Sequence, residues 1–130
     1  MDTAYLCFRI KEHRYAIENQ SIIRIMPSAT LYPLPIEERG LKGLALLDDQ
    51  LVGILDLEEW LWDHKTTSCP LMIFLEAGSN LFGICAEDIE GLKRIDEHEW
   101  MENERVDLPF RYQQNEDWIY LIDLLQLQGR

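Results

Sequence analysis

From Gly40 to Leu57 the chain alternates apolar runs with short polar breaks, and this stretch organises the reading of the rest. It holds two apolar runs, 44–47 and 51–55, around the acidic tip Asp48-Asp49-Gln50. Runs that are apolar at every position predict strands covered on both faces, and the tip between them predicts a hairpin. Gly40 and Gly43 open it, where a missing Cβ permits a bent backbone and a close approach. Asp56 then stands where an N-cap belongs, with Glu59 three residues on and acids in the first turn, which predicts a short helix from Leu57 to Trp62.

Residues 4–10 alternate, with Leu6, Phe8 and Ile10 on one face and Tyr5, Cys7 and Arg9 on the other; a polar turn follows, and Tyr15 and Ile17 resume the inward face. Residues 18–21 interrupt the pattern as a turn of helix. In Ile22-Ile23-Arg24-Ile25-Met26, a core face made by Ile23 and Ile25 leaves Ile22, Arg24 and Met26 together outside. Two apolar side chains flanking one charge on a solvent face predict an interaction patch. Pro27, Pro33 and Pro35 limit residues 30–32 to a short edge strand. Residues 63–68 are a polar loop, and the runs 71–75 and 81–85 form a second hairpin across a Gly-containing turn. Apolar positions 89, 92 and 95 fit either a helical turn or an irregular strand. Residues 96–104 carry five acids and no Lys or Arg, as a loop or frayed helix. Residues 106–112 read as a strand broken by Pro109, residues 118–122 as the last strand, and Asp123 as the cap of a helical turn with Leu124, Leu125 and Leu127. Many short strands with turn signals between them predict an all-β barrel or a pair of barrels.

The 130 residues suit one compact domain, and 47% apolar with 28% charged residues excludes a disordered chain. The net charge of −12 disfavours nucleic acid and anionic lipid as partners and favours basic protein surfaces. No secretory signal fits the N-terminus, and no apolar stretch approaches the roughly 18 residues of a membrane span. Cys7, Cys69 and Cys85 are odd in number and widely spaced, which does not suggest a disulfide framework, so a reducing cytoplasm is the expected compartment.

Catalytic chemistry finds little support. His13, His64 and His98 lie in polar stretches without metal-ligand spacing, no Cys-x-x-Cys occurs, and phosphate-loop, dinucleotide and nucleophile-elbow motifs are missing. Trp60, Trp62 and Trp100 sit among acids rather than among the basic residues of nucleic-acid barrels. The expectation is a binding module with no catalytic residue, cofactor or metal. Trp100 is either an amphipathic interface anchor or the cover of a barrel end.

Tyr5-Leu6-Cys7-Phe8-Arg9-Ile10, Tyr15-Ala16-Ile17, Ile22-Ile23-Arg24-Ile25, Leu34-Pro35, Lys42-Gly43-Leu44, Val52-Gly53-Ile54-Leu55-Asp56-Leu57, Ile73-Phe74-Leu75, Gly83-Ile84 and Ile119-Tyr120-Leu121-Ile122-Asp123-Leu124-Leu125 follow one another in an order that resembles the CheW family of bacterial chemotaxis adaptors. The resemblance implies two small five-stranded SH3-like β-barrels sharing a core. It places one subdomain at about 15–65 and the other at about 66–130 plus the N-terminal strand, which would cross between them. It further implies a non-catalytic scaffold whose partners are a CheA-type histidine kinase and chemoreceptor cytoplasmic tips, with no membrane insertion. A small acidic regulatory or ligand-binding barrel outside receptor arrays is the alternative. The partner-binding residues expected from the patch, the hairpin and the acidic run are Ile22, Arg24, Met26, Gly43, Asp48, Asp49 and Trp100. Where the family tends to carry an acid near position 24 and an arginine near position 48, this chain carries Arg24 and Asp48. The two departures together predict a swapped ion pair, Arg24 with Asp48 or Asp49, on the barrel surface.

Overall fold

The computed structural model describes residues 2–27, 30–35 and 37–124. In chain order its elements are β1 (Asp2–Ile10), β2 (His13–Glu18), β3 (Ile22–Pro27), β4 (Leu41–Leu47), β5 (Gln50–Leu55), α1 (Leu57–Trp62), β6 (Leu71–Ala77), β7 (Asn80–Ala86), β8 (Asp88–Asp96), β9 (Met101–Glu102), β10 (Phe110–Gln114) and β11 (Asp117–Leu121), with 3-10 turns at Asn19–Ser21 and Glu97–Glu99. The expected C-terminal helical turn lies, beyond Leu124, outside the described residues.

Two sheets make two small SH3-like barrel units, one from Met1–Ser21 with Asp88–Arg130, the other from Ile22–Glu87. The expected division at 65/66 is therefore corrected. The polar loop 63–68 is internal to the second unit, because β6 and β7 pair with β3 and β5 rather than with the terminal strands. Likewise β1 does not cross between sheets: it pairs with β2 and β8 inside its own.

The first unit is a six-stranded sheet in the order β8-β1-β2-β11-β10-β9. Tyr5, Cys7, Ala16, Ile95 and Ile119 form a buried cluster, and Trp100, Tyr112 and Leu121 pack against it. Leu6, Phe8 and Ile10 are buried as well, so β1 is covered on both faces although its alternation reads as half-buried. The stretch left open between helix and strand is β8. Its 89/92/95 apolar spacing misleads because side chains alternate along the strand and Leu92 points outward. A register shift at Cys7/Phe8 opposite Gly91, which has φ +121°, absorbs the irregularity.

The second unit is a five-stranded sheet in the order β3-β6-β7-β5-β4, with β5 and β7 parallel and the other pairs antiparallel. Ala45, Leu47, Val52, Ile54, Met72, Phe74 and Cys85 fill its interior. The predicted hairpin is present, with Leu47 opposite Gln50 and a two-residue turn at Asp48-Asp49. Both turn residues have positive φ, 47° and 67°, the mirror-image turn whose twist suits a hairpin. Glycine fits the second position of such a turn without the Cβ penalty. Asp49→Gly is expected to raise stability by about 0.5–1 kcal/mol, read as the urea midpoint at unchanged slope.

The short edge strand expected over 30–32 is reduced to one bridge, in which the Tyr32 N–H donates to the Leu44 carbonyl and the Leu44 N–H to that of Tyr32, at 2.8 and 2.9 Å. A further correction concerns the cysteines. Cys69 and Cys85 form a disulfide with their Cα atoms 5.1 Å apart, and Cys7 is a buried free thiol. Sequence spacing does not reveal the bond. The β6–β7 hairpin sets Cys85 opposite Met72, and so brings it beside the segment just before β6.

Candidate functional site

The second unit presents its outer face around the tip of the β4–β5 hairpin. Ala45, Leu47 and Val52 point inward, so period-two alternation turns Leu46 and Leu51 outward as a directly opposed cross-strand pair. They are 43% and 57% exposed. Next to the tip lies β3. There the Arg24 guanidinium donates to both Asp48 carboxylate oxygens, Nη1 to Oδ1 at 3.0 Å and Nη2 to Oδ2 at 3.1 Å. This fork is the predicted pairing, with Asp48 rather than Asp49 as acceptor. It joins strands at the two opposite ends of the hydrogen-bonded order, β3 and the turn leaving β4, so the sheet curls until those ends approach. Both side chains are largely solvated, so the pair contributes only about 0–1 kcal/mol to stability. Its planar, two-bond geometry fixes where the charges point.

Arg24 is flanked along β3 by Ile23 and Ile25, which are 45% and 38% exposed. The expected arrangement, Ile22 and Met26 outside with Ile23 and Ile25 in the core, is thus inverted. A register shift between Ile22 and Arg24 changes the phase of the strand. After it, Met26 lies opposite Met72 and packs on the interior, while Ile25 lies opposite Ile73 on the other face. Ile22 is half-buried. Strict alternation could not reveal a bulge in a stretch so uniformly apolar. Four aliphatic side chains are exposed on the strands that the Arg24–Asp48 fork ties together, Ile23 and Ile25 on β3 and Leu46 and Leu51 on the β4–β5 hairpin.

The other expected residues are placed differently. Asp49 is exposed at the turn. Gly43 is buried, and a Cβ there would sit 2.8 Å from the Tyr32 carbonyl oxygen, so it serves close backbone approach rather than the surface. Trp100 lies in the first unit, half-buried and edge-on to Tyr5 at 5.2 Å and Tyr112 at 6.0 Å between ring centroids. Of its two readings, the cover of a barrel interior is the one this packing fits.

Below the patch the hairpin base is braced by a buried polar network. Asp56 accepts from the Glu59 N–H at 3.3 Å as N-cap, and from the Thr66 N–H and hydroxyl, both at 2.9 Å. The Lys42 ammonium donates to the Thr66 carbonyl at 2.7 Å and to its hydroxyl oxygen at 2.9 Å, and stands 4.0 Å from Asp56. Burial pushes the Lys42 pKa below its ordinary value, with Asp56 opposing the shift. A cavity of about 490 Å³ opens beside this network, lined by Pro33, Glu37, Arg39, Lys42 and Glu59 among others. Asp56 and Lys42 are already engaged by Thr66, so the cluster reads as a tie between hairpin, helix and loop. Among the described residues, no group of His, Cys, Asp and Glu side chains is arranged to hold a metal ion.

The strands of the second unit thus carry an oriented pair of charges and exposed aliphatic side chains, two ingredients of protein-docking surfaces. The CheW-like domain model matches residues 4–126. Protein FrzA of Myxococcus xanthus is 25% identical over 93 residues, covering 70% of this chain; the chain spans 58% of that relative's length. The scaffolding protein TtCheW of Thermoanaerobacter tengcongensis has the same fold, with a TM-score of 0.84 at 15% identity, over 95% of this chain and 86% of that one. Members of this family are non-catalytic scaffold and adaptor proteins. The match over nearly the whole length, together with the two barrel units, establishes that this chain belongs to the CheW-like domain family.

Proposed function

We propose that this chain is a cytoplasmic signalling scaffold that couples chemoreceptors to a CheA-type histidine kinase, and that it docks a partner on the outer face of its second unit. The observation that carries the docking site is the Arg24–Asp48 fork between β3 and the β4–β5 turn, on strands that also expose Ile23, Ile25, Leu46 and Leu51. Aliphatic side chains held out on strands supply apolar area at little ordering cost, because strand residues are already fixed before binding. The fork adds partner choice rather than stability: like charges placed against Arg24 or Asp48 oppose the wrong partner. Its polarity is opposite to the one expected from the family, which supports a partner matched to the swapped arrangement.

The test is a charge exchange, measured as affinity for receptor tips and kinase from this chain's own system and from a standard CheW system. Arg24→Glu or Asp48→Arg alone sets like charges side by side and is expected to weaken own-system binding about tenfold or more, at nearly unchanged Tm. The double exchange restores a pair in the opposite sense. It is expected to keep the fold and shift preference toward the standard partners. No shift in the double variant removes the specificity claim.

A further inference from the structure

We propose that Cys69 and Cys85 form a thiol-responsive clamp on the connection that braces the base of the β4–β5 hairpin. The inference deepens the docking reading by giving that face a regulator, and its redox arms need no partner. Cys69 lies between α1 and β6, half-buried between exposed Ser68 and Pro70, whereas its bonded partner Cys85 is buried in the interior of the second unit. The same connection carries Thr66, whose amide and hydroxyl donate to Asp56 and whose two oxygens receive Lys42. Lys42 is in β4, and Asp56 directly follows β5. One short segment is therefore held at one point by a covalent bond and at another by the polar network of the docking hairpin. Cys7, buried in the first unit with its thiol pKa pushed up by burial, stays an unreactive neutral thiol. The responsive couple is confined to one pair.

A disulfide in a chain that works in a reducing compartment is a regulatory bond more often than a permanent one. Opening proceeds by attack of a small thiolate on the more accessible Cys69 sulfur. The S–S bond breaks, Cys85 leaves as thiolate and takes a proton from water, and a mixed disulfide remains on Cys69. A second small thiol, attacking as thiolate, displaces Cys69, which takes up a proton, and releases the small disulfide; two electrons have passed from two small thiols to the protein. A small disulfide drives the reverse. With the bond open, Cys69 is no longer pinned and the Thr66 segment is held by hydrogen bonds alone, so the hairpin base loosens.

The experiment equilibrates the full chain in reduced and oxidised glutathione mixtures, quenches by alkylation in denaturant, and reads the mass. The expected result is an exchange between one labelled cysteine (Cys7) and three across the mixtures. The oxidised form should have a Tm roughly 5–10 °C higher. Amide exchange over residues 64–69 should be roughly tenfold slower than in the reduced form. Cys69→Ser should show the reduced-form Tm and exchange in every mixture. A bond that excess reduced glutathione leaves intact, or three labelled cysteines in every mixture, overturns the proposal. So does exchange at 64–69 that ignores the redox state. Loss of partner binding alone bears on the docking reading and not on the clamp.

Discussion

Leu51→Asp is expected to weaken partner binding about 30-fold or more while moving the urea midpoint little. Leu51 is the most exposed of the four aliphatic side chains on β3 and the β4–β5 hairpin, and it stands directly opposite Leu46. Truncating a hot-spot residue of an interface costs about 2 kcal/mol or more of binding free energy, which is about a 30-fold loss. The folded state loses only a cross-strand apolar pair, about 0.2–1 kcal/mol. Leu92→Asp is the control. Leu92 is similarly exposed, on β8 of the first unit, so that substitution should alter neither stability nor this binding. Equal losses from both variants, read by titration calorimetry, would mean that general acidity rather than the face controls association.

The largest stability effect is expected at Asp56. Its carboxylate is 3% exposed and accepts from the Glu59 amide and from both donors of Thr66, with Lys42 beside it. Asp56→Ala removes the helix N-cap, worth about 1 kcal/mol. It also leaves the Thr66 amide and hydroxyl without their acceptor and removes the countercharge beside the half-buried Lys42 ammonium. Breaking a buried charged network from one side costs about 3–5 kcal/mol in all, because the remaining groups stay desolvated. Asp56→Asn keeps two acceptor directions on one oxygen and should lose less. A midpoint shift in Asp56→Ala equivalent to under about 1 kcal/mol would show that Thr66 and Lys42 find water or other partners. The network would then not be what holds the hairpin base together.

The parts of this molecule written in local chemistry were legible in its sequence. The capped helix at Leu57–Trp62, the hairpin turn at Asp48-Asp49 and the β6–β7 hairpin each follow from residues a few positions apart. The swapped pair was legible too, since two charge departures are simpler to explain together than apart. What escaped depends on register. A bulge after Ile22 exchanges the inside and outside of β3, and in Ile-Ile-Arg-Ile-Met every phase looks equally apolar. The unit boundary escaped for a related reason. A polar loop at 63–68 reads as a linker unless Thr66 is known to fold back onto Asp56. Nor could the Cys69–Cys85 bond be read, since only strand pairing makes 16 residues of separation a near neighbour. Leu92 on a strand edge and Gly43 under Tyr32 make the same point from opposite directions: type gives no exposure without register.

The central claim is that the outer face of the second unit is where a partner docks. Amide hydrogen exchange along the chain, with and without a saturating CheA-type kinase or receptor-tip fragment that it binds, tests this most directly. Docking on this face should slow exchange at residues 22–26 and 46–52, with little change over 88–96. Full occupancy of the partner with residues 22–26 and 46–52 exchanging as in the free chain would contradict it.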